Sequence, residues 1–579
     1  MHDTPDARHV GPTQPFSDEL HQQKYRGEGE SFREAMNRVA AGLKDDDAHF
    51  HEFRDILLDM RFMPAGRIQA AIGSGKNTTP YNCYVSGTIA DSYTDGEGSI
   101  MERATQAAAT MRMGGGIGYD FSTLRPKGDL IVKLQSRSSG PISFMEIFDA
   151  VCRCTSSSGH RRGAQMGVLR IDHPDIFDFV RAKQNETFLR GFNISIAVTD
   201  EFMRAKRDGK PFQLKFGGRV YREVDPNELW DAVMRSTWDW AEPGVLFIDR
   251  INEMNNLHYC ETIAATNPCG EQPLPPFGAC LLGSFNLVRY LKRDMYGWNF
   301  DWDLLANDVP TVVRAMDNVV DRARYPLPQQ EHEAKSKRRM GLGVTGLANA
   351  GEALGFPYGS PDFLDFERCV LTLLRDEAYI ASALLAKEKG AFPLYDPAYL
   401  ESAFIRTLPV EVRDLIEAHG VRNSHLLSIA PTGTISLCAD NVSSGLEPVF
   451  SYGMERTVID EAGPRKELIE DYGVRVLGVR GRRSSEVTVA EHVAVLAVAA
   501  ELVDSAVSKT CNVDSRVSWD EFKRVYDSAW ELGCKGITTY RADGMRGGVI
   551  VAKDDDTGKA QEEAASCTID PETGRRSCE

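Results

Sequence analysis

The stretch Ala265–Leu287 reads ATNPCGEQPLPPFGACLLGSFNL. It sets Asn267, Cys269 and Glu271 two residues apart and puts a second thiol, Cys280, eleven residues beyond the first. Four prolines stiffen the chain around them, so the side chains point in nearly fixed directions. A thiol, a carboxylate and a carboxamide held together can act on a substrate, move a proton and orient a hydroxyl. The plainer reading is that Cys269 is a small buried hydrophobe and Glu271 a surface charge.

Outward from this stretch, the chain has 579 residues, which suits one large domain or two to three ordinary ones. It is 42% hydrophobic and 26% charged, as globular proteins are, and its formal net charge of -17 repels nucleic acid except at a local basic site. No stretch resembles a signal peptide or a membrane span, so the expectation is a soluble, cytoplasmic protein with no membrane partner. In a reducing cytosol most of its 12 cysteines are thiols, and paired ones point to redox chemistry or metal.

Residues 1–20 read as a disordered N-terminus and 21–79 as a helical region, with amphipathic runs such as SFREAMNRVAAGL. Residues 80–545 alternate helix and strand. SIMERATQAAATMRM is helical and stops at Gly114-Gly115-Gly116; YDFSTL, QMGVLRI and FNISIAV read as strands; SFMEIFDAVCRCT and DIFDFVRAK read as helices. Such alternation predicts α/β architecture with parallel strands. Residues 546–579 are polar, with little to bury, and read as a flexible C-terminal tail carrying Cys567 and Cys578.

Two further stretches hold ligand-binding chemistry. Pro431, Thr432, Gly433, Thr434, Ile435 and Ser436 combine a turn, hydroxyls and backbone amides, and a following helix would favour phosphate. The Gly-Lys-Ser/Thr ending of a P-loop is missing. The run MGGGIGYDFSTLRPKG lets a backbone approach a ligand closely, with Arg125 available to a second phosphate, although such a run also serves as a turn.

Taken in order, YNCYV, GGGIGYDFSTLRP, SGPISFMEIFDAV, RRGAQMGVL, HPDIFDFV, FNISIAVTDEFM, PGVLFIDRINEMNN, NPCGE and APTGTISL resemble the large catalytic chain of ribonucleotide reductases, over roughly residues 20–545. The resemblance implies a ten-stranded α/β barrel with the NPCGE stretch as a finger loop up its middle. It implies that Cys269 becomes a thiyl radical and takes the 3′ hydrogen of a ribonucleotide, that Glu271 accepts the 3′-hydroxyl proton and that Asn267 holds the hydroxyls. Cys83 and Cys280 match the reducing pair. Asn82, Gly116 and the 431–436 loop match substrate-binding positions. Asp91 and Arg125 match the site for a deoxynucleoside triphosphate effector, with Arg161 and Arg162 ranked below them. A thioredoxin-like reductant and a homodimer are implied as partners.

The family generates its radical in three ways. The two adjacent tyrosines of the oxygen-dependent members fall on Thr538 and Thr539, which cannot relay an electron. Glu271 and the Cys83/Cys280 pair argue against glycyl-radical members. Exclusion leaves the class that uses adenosylcobalamin, a cofactor that supplies the difficult chemistry while the protein positions it. The alternatives are an oxygen-dependent large chain with an altered relay, and a non-catalytic nucleotide-binding or zinc-stabilised paralogue. For zinc, Cys152-x-Cys154 is too tightly spaced. The helical preface begins too early to leave room for the family's N-terminal ATP-binding cone, so on/off control by ATP and dATP is not expected. Cys567 and Cys578 are read as a redox shuttle for the Cys83–Cys280 pair, since two thiols suffice for exchange.

Overall fold

A computed structural model describes residues 10–541 except 158–160, 163, 185–187 and 461–462; beyond 541 it describes only the short strands 551–552, 561–562, 567–569 and 576–578. Five parallel strands form its backbone: β1 Cys83–Val85, β2 Gly116–Asp120, β3 Gln165–Arg170, β4 Phe192–Val198 and β5 Gly244–Phe247. They lie in that order, with helices Ile100–Arg112, Pro141–Cys154, Ile176–Arg181 and Pro226–Trp240 in the connections. Their side chains are almost all buried, as strands covered on both faces require. The stretch YDFSTL ends as a strand at Asp120, because the Asp120 carboxylate accepts Ser122 N at 2.9 Å and turns the chain.

A second set of strands runs the other way. β6 Leu282–Asn286 pairs in parallel with β7 Gly341–Thr345 and antiparallel with Phe62–Pro64. β8 Thr510–Val513 pairs in parallel with β9 Gly536–Arg541, and β9 is antiparallel to β5. At the other end of the first set, Ala279–Cys280 is antiparallel to β1. Between β7 and β8, Gly453–Asp460 and Gly463–Glu470 form a separate antiparallel hairpin, and the chain meets β7 and the approach to β8 through the single bridges Leu342↔Leu427 and Ile429↔Val507. The result is an eight-stranded sheet and a three-stranded sheet, with no closed sheet among the described residues. The ten-stranded barrel of the sequence reading is therefore met at the coarser level of a mixed α/β fold.

The helical preface starts earlier than expected. Residues 10–20 are ordered, and Pro15–Tyr25 is a helix. Its entry is latched by Asp440, whose carboxylate accepts Thr13 N (2.8 Å), Thr13 Oγ1 (2.8 Å) and Gln14 N (2.7 Å). No local pattern announces a bond to a residue so distant in sequence. Helix Phe32–Leu43 follows its own code: Ser31 and Glu34 form a capping box, and Phe32, Ala35, Met36, Val39, Ala40 and Leu43 make one buried stripe. Among the described residues no helix is long and apolar enough to cross a membrane.

In the tail, Cys567–Ile569 and Arg576–Cys578 pair antiparallel, with Cys567 opposite Cys578. Paired strands at both cysteines were not expected of a polar segment with so little to bury. The side chains of this tail, and those of Arg161 and Arg162, lie outside the described residues.

Candidate active site

The finger is a hairpin. Ala265–Thr266 pairs with Pro273–Leu274, and Asn267 N donates to Gln272 O at 3.2 Å. Its tip turns at Gly270, which has φ +84°, and the Asn267 carboxamide oxygen accepts Gln272 N at 2.9 Å. It is gripped from two sides. From the first strand set, Asn193 Nδ2 donates to Pro268 O at 3.1 Å. From the segments between β7 and β8, Ser428 Oγ (2.8 Å) and Ala506 N (3.0 Å) both donate to Glu271 O. Close approach needs glycine on both sides. A Cβ on Gly118 of β2 would sit 1.8 Å from Thr266 O, and one on Gly341 of β7 would sit 2.5 Å from Gln272 Nε2.

This brings together five residues named from the sequence. Cys83 of β1 stands directly opposite Cys280 in the antiparallel register. Residues so paired have Cα atoms about 4.5–5.5 Å apart, within the 4.4–6.8 Å a disulfide spans, so the two thiols can join without a backbone shift. Both are buried. Cys269, Glu271, Cys83 and Asn82 line one cleft together with Tyr25 and the loop residues Pro431, Thr432, Thr434 and Ile435. Cys269 is also in the wall of a second cleft, lined by Asn193, Ser195, Glu242, Lys509, Thr538 and Thr539.

The electrostatics of the first cleft are those of a dry pocket. Burial pushes the Glu271 carboxyl up to about 7, with the Asn267 carboxamide opposing the rise. Burial also pushes the Cys280 thiol well above its ordinary value, and Glu271, Cys83 and Cys269 add to this. Glu271 Oε2 and Asn82 Oδ1 are buried without a hydrogen-bond partner. Such groups cost about 1–3 kcal/mol each unless a ligand meets them.

Other named residues have different neighbours. Gly116 does not line the cleft: a Cβ there would lie 3.2 Å from Cys83 Sγ and 3.1 Å from Pro268. The glycine run thus makes room for the protein's own side chains. Thr432 turns inward at φ +55°; its hydroxyl lies 3.1 Å from Thr345 Oγ1 and accepts Gly445 N at 2.7 Å. Ser436 Oγ is engaged with Gly433 O and Ser444 Oγ. Helix Gly433–Cys438 has only six residues. Asp91 and Arg125 meet each other, with Nε–Oδ2 at 2.7 Å. Cys152 is buried and Cys154 exposed, so this couple faces two ways. The sequence reading missed Tyr25, Arg67, Asn193, Ser428 and Lys509. Only their position in the fold distinguishes them from ordinary polar residues.

A half-buried thiol between two clefts, with a carboxyl of raised pKa on one side and an apposed pair of buried cysteines beside it, fits an α/β enzyme of thiol redox chemistry. Residues 82–472 and 482–540 match the family model for the ribonucleotide reductase barrel domain. The chain belongs to the ribonucleotide reductase family. It is 38% identical, over 78% of its length and 67% of the relative's, to the vitamin B12-dependent ribonucleoside-diphosphate reductase of Mycobacterium tuberculosis (strain CDC 1551 / Oshkosh). It is 32% identical to the Thermoplasma acidophilum protein of the same name, over 92% of this chain and 70% of that one. The vitamin B12-dependent ribonucleotide reductase of Streptomyces coelicolor is 27% identical, over 91% and 62%. The chain spans about two thirds of the length of these relatives.

Proposed function

We propose that the chain reduces ribonucleotides to 2′-deoxyribonucleotides for DNA synthesis, using adenosylcobalamin to start a radical on Cys269 and the Cys83/Cys280 pair as electron source. The observation that carries this is the apposition of Cys83 and Cys280 across two strands, beside Cys269 and Glu271 in one cleft. The printed names of the Mycobacterium and Thermoplasma relatives favour a ribonucleoside diphosphate as substrate.

In this reading the substrate ribose lies in the first cleft. Cys269 takes the 3′ hydrogen, Glu271 accepts the 3′-hydroxyl proton, and the Asn267 Nδ2 donor holds a hydroxyl. A carboxyl of pKa about 7 suits proton transfer in both directions near neutral pH. The dithiol gives two electrons and two protons, so that R–OH and two thiols become R–H, water and a disulfide.

The second cleft fits a nucleoside-bearing cofactor. Asn193, Ser195, Lys509 and Thr538 supply polar groups there, and a Cβ on Gly244 would lie 2.9 Å from Ser195 Oγ. When bound, adenosylcobalamin supplies a carbon-centred radical by homolysis of its cobalt–carbon bond. The threonines count against the oxygen-dependent alternative: Thr539 Oγ1 lies 2.8 Å from Tyr526 OH and offers no redox-active side chain for a relay.

We also infer that the two sheets are staves of one ten-stranded barrel. Ala279–Cys280 and β6 are parted only by Leu281, and the bridges Leu342↔Leu427 and Ile429↔Val507 join β7 towards β8. The Asp91–Arg125 pair remains the candidate effector site, where a triphosphate competes with the carboxylate for the guanidinium. A homodimer, a cytoplasmic location and a thioredoxin-like reductant complete the reading.

The test is conversion of a ribonucleoside diphosphate by the purified chain with a small dithiol, with and without adenosylcobalamin. Deoxynucleotide should appear only with the cofactor, and Cys269→Ser should yield none. Product in the cofactor's absence, or turnover by Cys269→Ser, overturns the proposal.

A further inference from the structure

Arg67 lies in the short helix Gly66–Ala71, next to the first cleft, of which Gly66 forms part of the wall. Its guanidinium packs on Gly114, where a Cβ would stand 2.4 Å from Nη1 and 2.7 Å from Cζ. Two residues along the same glycine run, Gly116 makes the matching space for Cys83 Sγ. The guanidinium and the thiol therefore occupy neighbouring places over one bare stretch of backbone. Among the described residues no carboxylate faces Arg67, and its Nε is buried without an acceptor. Burial pulls the guanidinium below its ordinary value. The groups that pull it back are Cys83 first, then Tyr25 and Tyr84. An interior cation without an anion is costly, and proteins rarely keep one unless an anion forms beside it.

The dithiol itself is lopsided. Cys280 is fully buried and sits by Glu271, which penalises a thiolate there. Cys83 borders the cleft, and its sulfur packs on Gly116, two residues along from the glycine that carries the Arg67 guanidinium. A cation beside a thiol stabilises its thiolate.

We propose that Arg67 is a positioning residue that makes Cys83 the first of the two thiols to give up its proton, by holding a positive charge against the sulfur over Gly114–Gly116. This rests on the dithiol reading of Cys83 and Cys280. When the pair is oxidised, two protons and two electrons leave it, and the ribonucleotide takes the electrons as its 2′-hydroxyl departs as water. Arg67 sets the order in which the protons leave and does not alter the balance. When the disulfide is reduced again by an external dithiol, that dithiol becomes a disulfide and both sulfurs regain protons. Arg67 then stabilises the thiolate on Cys83 until its proton returns. The titratable groups near Cys83 include Arg67, Tyr25 and Tyr84 of the preface and β1, Cys280 opposite, and Cys269 and Glu271 on the finger. Of these, Arg67 supplies the positive charge.

The experiment measures iodoacetamide alkylation of Cys83 in the reduced full-length chain from pH 6 to 10, resolved by peptide mass spectrometry. Cys280 serves as internal reference, and Arg67→Gln and Arg67→Lys are compared with the wild type. Cys83 should react ahead of Cys280 in the wild type. Arg67→Gln should raise the midpoint for Cys83 by about one pH unit, slowing its alkylation at pH 7.5 about tenfold. Arg67→Lys should restore most of the rate, which a purely structural role would not predict. The inference is overturned if the two variants slow Cys83 equally, if neither changes its profile, or if Cys280 reacts first in the wild type. No turnover is needed, so a chain with an ordinary Cys83 profile and full cofactor-dependent activity would sink this inference alone.

Discussion

Glu271 carries a folded-state pKa of about 7 against an ordinary 4.5, and burial is the main cause. A carboxyl whose pKa is raised by folding contributes stability that is fully present below the unfolded value and is lost as pH rises through the folded one. Glu271→Gln removes that dependence. Its stability relative to wild type should therefore climb between pH 4.5 and 7 and level off above, by about 3 kcal/mol in total. Thermal melts of both proteins across that range test this; a constant difference would show that the carboxyl is not held protonated. Comparing two variants matters, because buried histidines such as His425 and His492 have lowered pKa values and tilt the absolute curve the other way. Activity should show the matching limb, rising with pH through about 7 as the base form of Glu271 appears.

At the scale of elements, the finger depends on side chains missing from the strands beside it, and the preface on one carboxylate. Gly118→Ala puts a methyl 1.8 Å from Thr266 O, a backbone atom that cannot swing aside. The finger must shift, and a shift of about 1 Å at a reacting centre costs on the order of a hundredfold in rate. The expected result is loss of nearly all turnover with a lowered Tm; wild-type kinetics would mean the hairpin does not cross β2 there. Asp440 latches the first helix, which brings Tyr25 to the cleft. Asp440 has φ +68°, a conformation that asparagine also tolerates, so Asp440→Asn removes charge with little strain. Charge-assisted bonds of this kind contribute about 1.5–3 kcal/mol. The variant should be cleaved faster by trypsin at Lys24 and should bind nucleotide more weakly. If both properties stay at wild-type levels, the latch has no part in forming the cleft.

Across the whole molecule, the open question is how electrons reach a buried dithiol. The polar composition after Gly544 reads, from the sequence, as a flexible tail; a chain of that kind and length would span roughly 30 Å, against a radius of gyration of about 24 Å for a folded body of this size. On that reading we propose that the tail reaches the cleft from the surface. The backbone register that sets Cys567 opposite Cys578 is the same cross-strand relation that joins Cys83 to Cys280, and it suits a reversible disulfide. Deleting residues 560–579 should leave turnover with a small dithiol near wild type and sharply lower turnover with thioredoxin, which is too large to enter. Equal loss with both reductants, or with neither, would rule out the shuttle.

What the sequence determined was everything written in local chemistry. The capping box at Ser31 and the stripe from Phe32 to Leu43 fix a helix, Phe192–Val198 reads as a strand and is one, and the NPCGE stretch sets Cys269 and Glu271 two residues apart. These depend on neighbours a few residues away. The tertiary structure alone decided which groups face one another. It set Cys83 across from Cys280, turned Thr432 and Ser436 inward, joined Asp91 to Arg125, filled the glycine run with Arg67 and Cys83, and tied Thr13 to Asp440. Register between distant strands and the burial that raises the Glu271 pKa arise only when remote segments pack together, and no short stretch of residues encodes either.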